Sequence, residues 1–401
     1  MNTARAVQRI YEQRPYPNLH DSAAAKPQWL LPPLPWINAV WQASHPLRRI
    51  LVAGCGTGRE AFALRRRFPD AEIVGVDFSP RSIRTAKELQ KKKRQLKNIR
   101  FVVCDLSSSQ FGKVAGNRFD FVSCHGVLSY IPRPERVLRN FARSLTADGA
   151  LYLGVNGETH FSASWRQSLS EFGLRMTDFQ DTRPVRKLLK LFDVLSGNRP
   201  GWIAKSRSEY IAGDLFGPLI QNWPLTHWAK LCRANGLHLL GNYSIFRALR
   251  PVFDYGLYRF LMPRSRADVV EVFETLRPCG FHRLIFSRRP ELRPPWDEPE
   301  KLRTWRVIVT ELYDRQWQRR ERRWTTLSNL KLKSPSTNTL VELRIPEWEI
   351  ELLRRSDGKH SIGDILRSVP ARIPRAFLRD QLYLLYQLAV INLLPPMQRG
   401  Q

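Results

Sequence analysis

The sequence predicts an α/β protein built around a doubly wound, largely parallel sheet, and three observations carry that prediction. Residues 51–77, LVAGCGTGREAFALRRRFPDAEIVGVD, order a strand, a turn with three glycines, a helix and a second strand that ends in a carboxylate. Strand-length runs at Ile99 to Val103, Phe119 to Cys124 and Ala150 to Val155 then alternate with helical stretches. Such alternation implies right-handed crossovers and places ligands at the carboxyl ends of the strands, where Asp77, Asp105 and His125 all fall.

Each element follows from local chemistry. Ahead of the sheet, a short helical stretch through Ile10 and Tyr11 is broken by Pro15 and Pro17, and Pro32-Pro33-Leu34-Pro35-Trp36 excludes a long helix. The apolar run Ile50 to Ala53 suits a buried parallel strand. Gly54, Gly56 and Gly58 let the backbone turn tightly beside a ligand, and Arg59 to Phe68 carries Ala61, Leu64 and Phe68 at helical spacing. The N–H groups of that helix's first turn point at whatever lies over the glycines. Asp77 closes the second strand about 20 residues past the last glycine, where a carboxylate accepts hydrogen bonds from both hydroxyls of a ribose. Further on, Pro134-Glu135 opens a helix with Val137, Leu138, Phe141 and Leu145 on one face, and Gly149 ends the connection to the fifth strand.

The glycine spacing separates cofactor classes. A dinucleotide turn needs its third glycine three residues after the second, to bring the helix under a pyrophosphate, and that position is Arg59. The pattern is GxGxG, and Val52 to Gly58 resembles the first motif of the class I S-adenosylmethionine-dependent methyltransferases, of the bacterial type 11/12-like group. The resemblance implies a Rossmann-like, doubly wound seven-stranded sheet completed by an antiparallel pair, for which Leu237 to Ile245 and Gly280 to Phe286 read as strands. It implies S-adenosyl-L-methionine as cofactor, with Gly54, Cys55, Gly56, Thr57 and Gly58 beneath it, Asp77 and Phe78 at the ribose, Asp105 and Leu106 at the adenine, and Cys124 beside the site. The block Tyr11 to Pro17 resembles a tyrosine- and proline-rich lead of one bacterial subgroup whose N-terminal residues fold over the cofactor; Tyr11 and Tyr16 then either close the pocket or simply pack on the domain.

Methyl transfer from a sulfonium is an in-line displacement, so orientation and exclusion of water carry much of the rate and no universal catalytic side chain is required. His125 is the best-placed group for a base or acceptor-orienting role, since an unperturbed imidazole has a pKa of about 6.5; packing of the loop is the alternative. The loop lacks the Asn/Asp-Pro-Pro-aromatic block of adenine amino-methylating enzymes, and Cys124 follows Ser123 where cytosine-C5 enzymes have a proline. By burial preference alone, Cys124 reads as a small core residue. The phrase His125 to Pro132 resembles the same loop of a bacterial group of protein lysine methyltransferases that carry a C-terminal regulatory module. No cluster has metal-ligand spacing, so no metal is expected.

With 401 residues and 43% hydrophobic content the chain has room for two to three packed domains. A net charge of +29 suits nucleic acid, anionic surfaces or acidic partners, but Arg65-Arg66-Arg67, Lys91 to Arg94 and Arg319 to Arg323 read as solvated helix faces, so nucleic acid is not the favoured partner. Five cysteines without a CxxC pair fit a reducing compartment, and the apolar stretch Leu382 to Leu394, interrupted by Gln387, is too short for a transmembrane segment. A cytoplasmic enzyme is expected.

The expected organisation is a lead segment (1–47), a methyltransferase domain (48–289) with an insertion at about 157–236, a proline-rich linker (290–300) and a small, mainly helical C-terminal domain (301–401). Helical patterns lie at Val185 to Leu195 and Leu225 to Asn235 in the insertion, and Trp305 to Leu327 reads as a basic helix. Val341 to Pro395, with Trp348 to Leu353, the Ser356-Asp357-Gly358 turn, Ile362 to Leu366 and Phe377 to Leu394, resembles winged-helix-like modules appended to peptide- and protein-modifying enzymes. The expected function is methyl transfer to an unidentified small-molecule or protein/peptide acceptor. A non-catalytic cofactor-binding regulator and a nucleic-acid methyltransferase recruited by charge stay open as alternatives.

Overall fold

A computed structural model describes residues 3–13, 15–16, 31–43, 45–92, 98–171, 173, 190, 213, 217–246, 260–310, 328–333, 340–345, 352–369, 371 and 373–397. The expected lead helix is α1 (Thr3–Gln13). The proline cluster does not remain irregular: it opens the short helix α2 (Leu34–Trp41), with Pro35 in the first turn, where its missing N–H costs no hydrogen bond, and with Trp36 and Ile37 buried.

The sheet then unfolds in strict alternation. β1 (Arg49–Ala53), α3 (Arg59–Arg67), β2 (Glu72–Asp77), α4 (Pro80–Lys91), β3 (Ile99–Val103), α5 (Phe111–Ala115), β4 (Phe119–His125), α6 (Pro134–Ser144) and β5 (Leu145–Asn156) follow one another in the chain. Beyond them come α7 (Phe161–Glu171), α8 (Leu225–Arg233), β6 (His238–Asn242), α9 (Tyr243–Phe246), α10 (Arg266–Leu276) and β7 (Phe281–Ser287). The seven strands lie in the order β3-β2-β1-β4-β5-β7-β6. The pairs β1–β2, β1–β4, β2–β3 and β4–β5 are parallel, while β6 and β7 run antiparallel. This is the expected seven-stranded α/β architecture, with the antiparallel pair in its expected place. Register aligns the carboxyl ends: Asp77 lies opposite Val103, and His125 opposite Gly154.

Local sequence explains the elements. Ile50, Leu51, Val52 and Ala53 are at most 1% exposed, as a strand covered on both faces requires. Helix α3 stops at Arg67; Phe62 joins Ala61 and Leu64 on its buried face, while Phe68 caps the end half-buried. Helix α4 is capped by Ser79, whose hydroxyl accepts from the Ser82 N–H at 3.1 Å, a contact worth about 1 kcal/mol.

The chain forms two compact units. The first comprises residues 1–31, 45–237 and 278–283, the second residues 32–44, 238–277 and 284–401. In the first, Phe119, Phe121, Tyr152 and Trp228 are fully buried, and the Trp228 indole donates to the Asn156 carbonyl at 3.1 Å. The stretch expected as an insertion contains α7 and α8, the latter matching the expected Leu225 to Asn235 helix, whereas the Val185 to Leu195 pattern lies outside the described residues apart from Lys190.

In the second unit the stretch expected as a linker is packed. Trp296 is 1% exposed and meets Tyr383 edge-to-face at 5.0 Å between centroids, and Pro299 begins α11 (Pro299–Arg303). A large aromatic ring offset the flexibility that the surrounding prolines suggested. The basic helix expected from Trp305 begins as a strand, β8 (Arg306–Val309), and 311–327 lie outside the described residues. β9 (Ser328–Lys333) pairs with β10 (Leu340–Ile345), and β11 (Asp357–Ser361), β8 and β12 (Ile391–Leu394) form a three-stranded antiparallel sheet. The expected helix at Ile362 is α12 (Ile362–Ser368), while Phe377 to Leu394 divides into α13 (Arg375–Gln387) and β12. Ala389 turns the chain with φ +53°, and the β-branched Val390 and Ile391 favour the strand that follows. Arg266 ties this unit together, donating to Tyr386 O at 2.8 Å, Ile391 O at 3.0 Å and Asn392 Oδ1 at 2.8 Å. Among the described residues, no helix is long and apolar enough to cross a membrane.

Candidate active site

A cavity of about 510 Å³ opens at the carboxyl edge of β1, β2, β3 and β4, within the first unit. Its floor is the glycine turn. Gly54, Gly56 and Gly58 have φ of +70°, +51° and +89°, the left-handed region that side chains strain to enter. The turn is fastened to β2, since Gly54 N–H and Cys55 N–H both donate to Val76 O, at 2.8 and 2.9 Å. A Cβ on Gly54 would come within 2.3 Å of Val127 Cγ2, so the loop after β4 also presses on the turn.

Asp77 stands beside the turn as a clamped acceptor. Its Oδ2 accepts from Gly56 N–H at 2.9 Å and its Oδ1 from Ser79 N–H at 2.9 Å. Burial pushes its carboxyl up to about 6 from an ordinary 3.8, against the pull of those backbone donors. Each oxygen keeps a second lone pair for a ligand hydroxyl.

Along the edge toward β3, Asp105 is exposed and lines the cavity beside Leu106. Asp105 Oδ1 accepts from both the Ser107 N–H and the Ser107 hydroxyl at 2.8 Å. Asn140 of α6 holds this loop from below, donating to Leu106 O at 2.8 Å and Ser108 O at 3.0 Å. From the other side the lead segment docks. Gln8 donates to Phe78 O at 3.1 Å, the Tyr11 and Phe78 rings meet edge-on at 6.0 Å, and Thr57 N–H donates to Tyr16 O at 3.3 Å. Tyr11, Tyr16 and Phe78 all line the cavity.

His125 ends β4 at the far side of the cavity. Its Nδ1 and the Tyr152 hydroxyl are hydrogen-bonded at 2.9 Å, and its ring lies against Tyr152 and Phe281 at 5.8 and 5.3 Å between centroids. Burial, reinforced by the Arg283 cation, lowers its pKa to about 3. A ring with that pKa is uncharged near neutrality and a weaker base than the unperturbed imidazole.

The structure brings ten of the expected residues to the cavity: Tyr11, Tyr16, Gly54, Cys55, Gly56, Asp77, Phe78, Asp105, Leu106 and His125. The other three expected residues, Thr57, Gly58 and Cys124, are not among those that line the cavity. Thr57 is 1% exposed; Gly58 sits where a Cβ would strike the Phe101 ring at 2.9 Å; Cys124 is fully buried, its thiol pKa raised by burial. Sequence reasoning missed Glu60, Tyr130, His160 and the pair Phe281 and Arg283, which also line the cavity. Glu60 carried a readable signal, an acid on the glycine-facing end of α3, whereas Phe281 and Arg283 arrive from over a hundred residues away and no local pattern announces them.

With this geometry in place, the comparisons with known proteins agree. Residues 44–186 match the family described as a methyltransferase domain. That stretch is a methyltransferase domain by similarity. The chain is similar to a malonyl-[acyl-carrier protein] O-methyltransferase of Laribacter hongkongensis (strain HLHK9), 28% identical over 137 residues, covering 29% of this chain and 45% of the relative. It is also similar to an uncharacterised protein of Rickettsia prowazekii (strain Madrid E), 32% identical over 112 residues, covering 27% of this chain and 19% of the relative. The chain thus spans less than half the length of these curated relatives. Among solved structures, PKMT2 from Rickettsia typhi in complex with AdoHcy shares the fold, with a TM-score of 0.53 at 13% identity, over 90% of this chain and 75% of that one.

Proposed function

We propose that the chain transfers the methyl group of S-adenosylmethionine to a small-molecule or protein/peptide acceptor presented at the His125 end of the cavity. The observation that carries this reading is Asp77, a buried carboxylate clamped by Gly56 and Ser79 N–H groups over a glycine turn at the strand edge. The cavity's size falls in the range of about 300–1,000 Å³ usual for cofactor sites, and side-chain-free Gly56 leaves room for close approach.

In this reading the cofactor supplies an electrophilic methyl group on a sulfonium. The chain's own residues bind and orient. Asp77 holds the ribose hydroxyls, Asp105 and Leu106 hold the adenine, and Tyr11 and Tyr16 cover the cofactor from the lead segment. Near the methyl position, His125 stays neutral and, fixed by Tyr152, directs the acceptor, while Tyr130 and His160 complete the wall and exclude water. His160, lowered to about 4 by burial, is likewise uncharged at neutral pH. The helix-and-strand module around β8, α12, α13 and β12 is the acceptor-selecting part in this proposal, in keeping with its resemblance to appended winged-helix-like modules. Five free cysteines support a reducing, cytoplasmic setting.

The test is incubation of the full chain with methyl-labelled S-adenosylmethionine in a cell extract, followed by separation into protein, small-molecule and RNA fractions. Label in the protein or small-molecule fraction supports the proposal and chooses between its acceptor classes. Label confined to RNA would overturn the acceptor assignment, and no label at all would overturn the activity.

A further inference from the structure

The cavity is divided by charge along the sheet edge, whose strand order is β3-β2-β1-β4-β5-β7-β6. Among the described residues its carboxyls lie in the first half: Asp105 follows β3, Asp77 ends β2, and Glu60 stands on α3 next to the glycine turn. Arg59, the first residue of α3, belongs to that half as well. The half built by β4, β5 and β7 is lined by His125, His160 and Arg283, and among the described residues no carboxyl lines it.

Arg283 reaches the cavity through the start of β7. Gly157, just past β5, donates its N–H to Gly280 O at 2.9 Å, which sets that start against the end of β5. Phe281 and Arg283 then share one face of β7, opposite the fully buried His282. On that face the Phe281 ring meets His125, and the Arg283 cation helps to keep His125 uncharged.

His160 supplies a donor in the same half. The Ser162 N–H donates to His160 Nδ1 at 3.3 Å, and a backbone N–H can only donate, so Nδ1 is unprotonated and the neutral ring carries its proton on Nε2. The Ser162 hydroxyl, 2.7 Å from Nδ1, is fixed in turn by Asn222 Nδ2 at 3.2 Å, and Asn156 of β5 donates to Asn222 Oδ1 at 3.1 Å. Among the described residues Nε2 has no hydrogen-bond partner.

A cation, an N–H donor and weakly basic imidazoles suit one kind of nucleophile. An ammonium acceptor would be repelled by Arg283 and would need a base to take its proton. The imidazoles, lowered by burial to about 3 and about 4, are poor bases at neutral pH. An alcohol has the same need. A carboxylate is already ionised at neutral pH, is attracted by Arg283 and attacks without losing a proton.

We propose that the methyl acceptor is a carboxylate, bound in the β4, β5 and β7 half of the cavity by Arg283 and the His160 Nε2–H, an assignment that rests on the S-adenosylmethionine reading of the cavity. One carboxylate oxygen attacks the methyl carbon while the carbon–sulfur bond breaks and its electron pair goes to sulfur. The products are a methyl ester and S-adenosylhomocysteine; the anionic and cationic charges cancel, and no proton is released.

Carboxyl methyl esters, unlike methylated amines, ethers and thioethers, release methanol in dilute alkali, and this separates the outcomes. The full chain is incubated with methyl-labelled S-adenosylmethionine in a cell extract, and the protein and small-molecule fractions are treated with alkali. Label should leave as volatile methanol, from the small-molecule fraction if the carboxylate belongs to a free acid and from the protein fraction if it belongs to a polypeptide. Label that survives alkali in both fractions would overturn the carboxylate assignment and leave methyl transfer standing. No label at all would overturn methyl transfer, and the carboxylate assignment with it. Arg283→Gln should slow formation of alkali-labile label by about tenfold or more and leave the calorimetric Kd for S-adenosylhomocysteine unchanged, and Arg283→Lys should recover part of the rate. An unaltered rate in Arg283→Gln, or a matching loss of S-adenosylhomocysteine affinity, would overturn the role of Arg283.

Discussion

Replacing Asp77 is the most informative perturbation of the cofactor site, because three consequences follow from its geometry. Asp77 accepts backbone N–H bonds at 2.9 Å on both oxygens and lines the cavity, and each oxygen keeps a lone pair for a ribose hydroxyl. A hydrogen bond to a charged group is worth about 1.5–3 kcal/mol, so the loss of even one on Asp77→Ala should lower affinity for S-adenosylhomocysteine by about tenfold or more. Asp77→Asn should also weaken binding, since one of the two N–H donors would then face an amide NH₂. The second consequence concerns pH. Holding the carboxyl at about 6 instead of 3.8 means that its folded surroundings, burial offset by the backbone donors, disfavour the ionised form by about 3 kcal/mol net, an order-of-magnitude figure. The ionised form is the better acceptor, so affinity should rise as pH passes through about 6 and level off above it. The third is stability: the unfolded carboxyl ionises near 3.8 while the folded one keeps its proton to about 6, so this group's contribution to folding falls as pH rises across that interval and is constant above it. Calorimetric titration of the native chain and both variants from pH 5 to 8 (~) checks all of this against the expected carboxylate behaviour. Undiminished affinity in both variants would refute the reasoning.

Three further outcomes are expected. Gly54→Ala should destabilise the first unit by roughly 2–5 kcal/mol in urea unfolding, because φ is +70° and the new Cβ would lie 2.3 Å from Val127 Cγ2; a change near zero would contradict the packed turn. His125 has its pKa near 3 in the fold, so activity should show no inflection near the ordinary imidazole pKa of 6.5 that disappears in His125→Asn; finding one in a pH–rate profile would contradict a neutral, orienting ring. The same shift makes burial of neutral His125 a stabilising contribution that is complete above 6.5 and is lost as pH falls toward 3. Trp296→Ala should cost about 3–5 kcal/mol of stability in the second unit, since the ring is 1% exposed, whereas a loss under about 1 kcal/mol would restore the linker reading.

Much of the sheet was legible because its signals are local. The burial of Ile50 to Ala53, the positive φ of the three glycines and the carboxylate closing β2 each follow from a handful of adjacent residues. What was misread depends on partners distant in sequence. Pro290 to Pro299 looks like a linker until Trp296 meets Tyr383, and a cut there would sever the second unit rather than release it. The lowered pKa of His125 depends on burial beside Tyr152, Phe281 and Arg283, which its own loop does not announce. Phe377 to Leu394 reads as one apolar run, and only pairing of Ile391 to Leu394 with Arg306 to Val309 makes its end a strand. Thr57, Gly58 and Cys124 lie within the right motifs, but motif membership does not say which side of the backbone faces the ligand.

A crystal structure of the full chain grown with S-adenosylhomocysteine tests the central claim most directly. The account predicts the ligand in the cavity over Gly54 and Gly56, its ribose hydroxyls within hydrogen-bond distance of Asp77, its adenine beside Leu106 and Asp105, and its sulfur toward His125. Ligand density elsewhere on the chain, or none in this cavity at a saturating concentration, would contradict it.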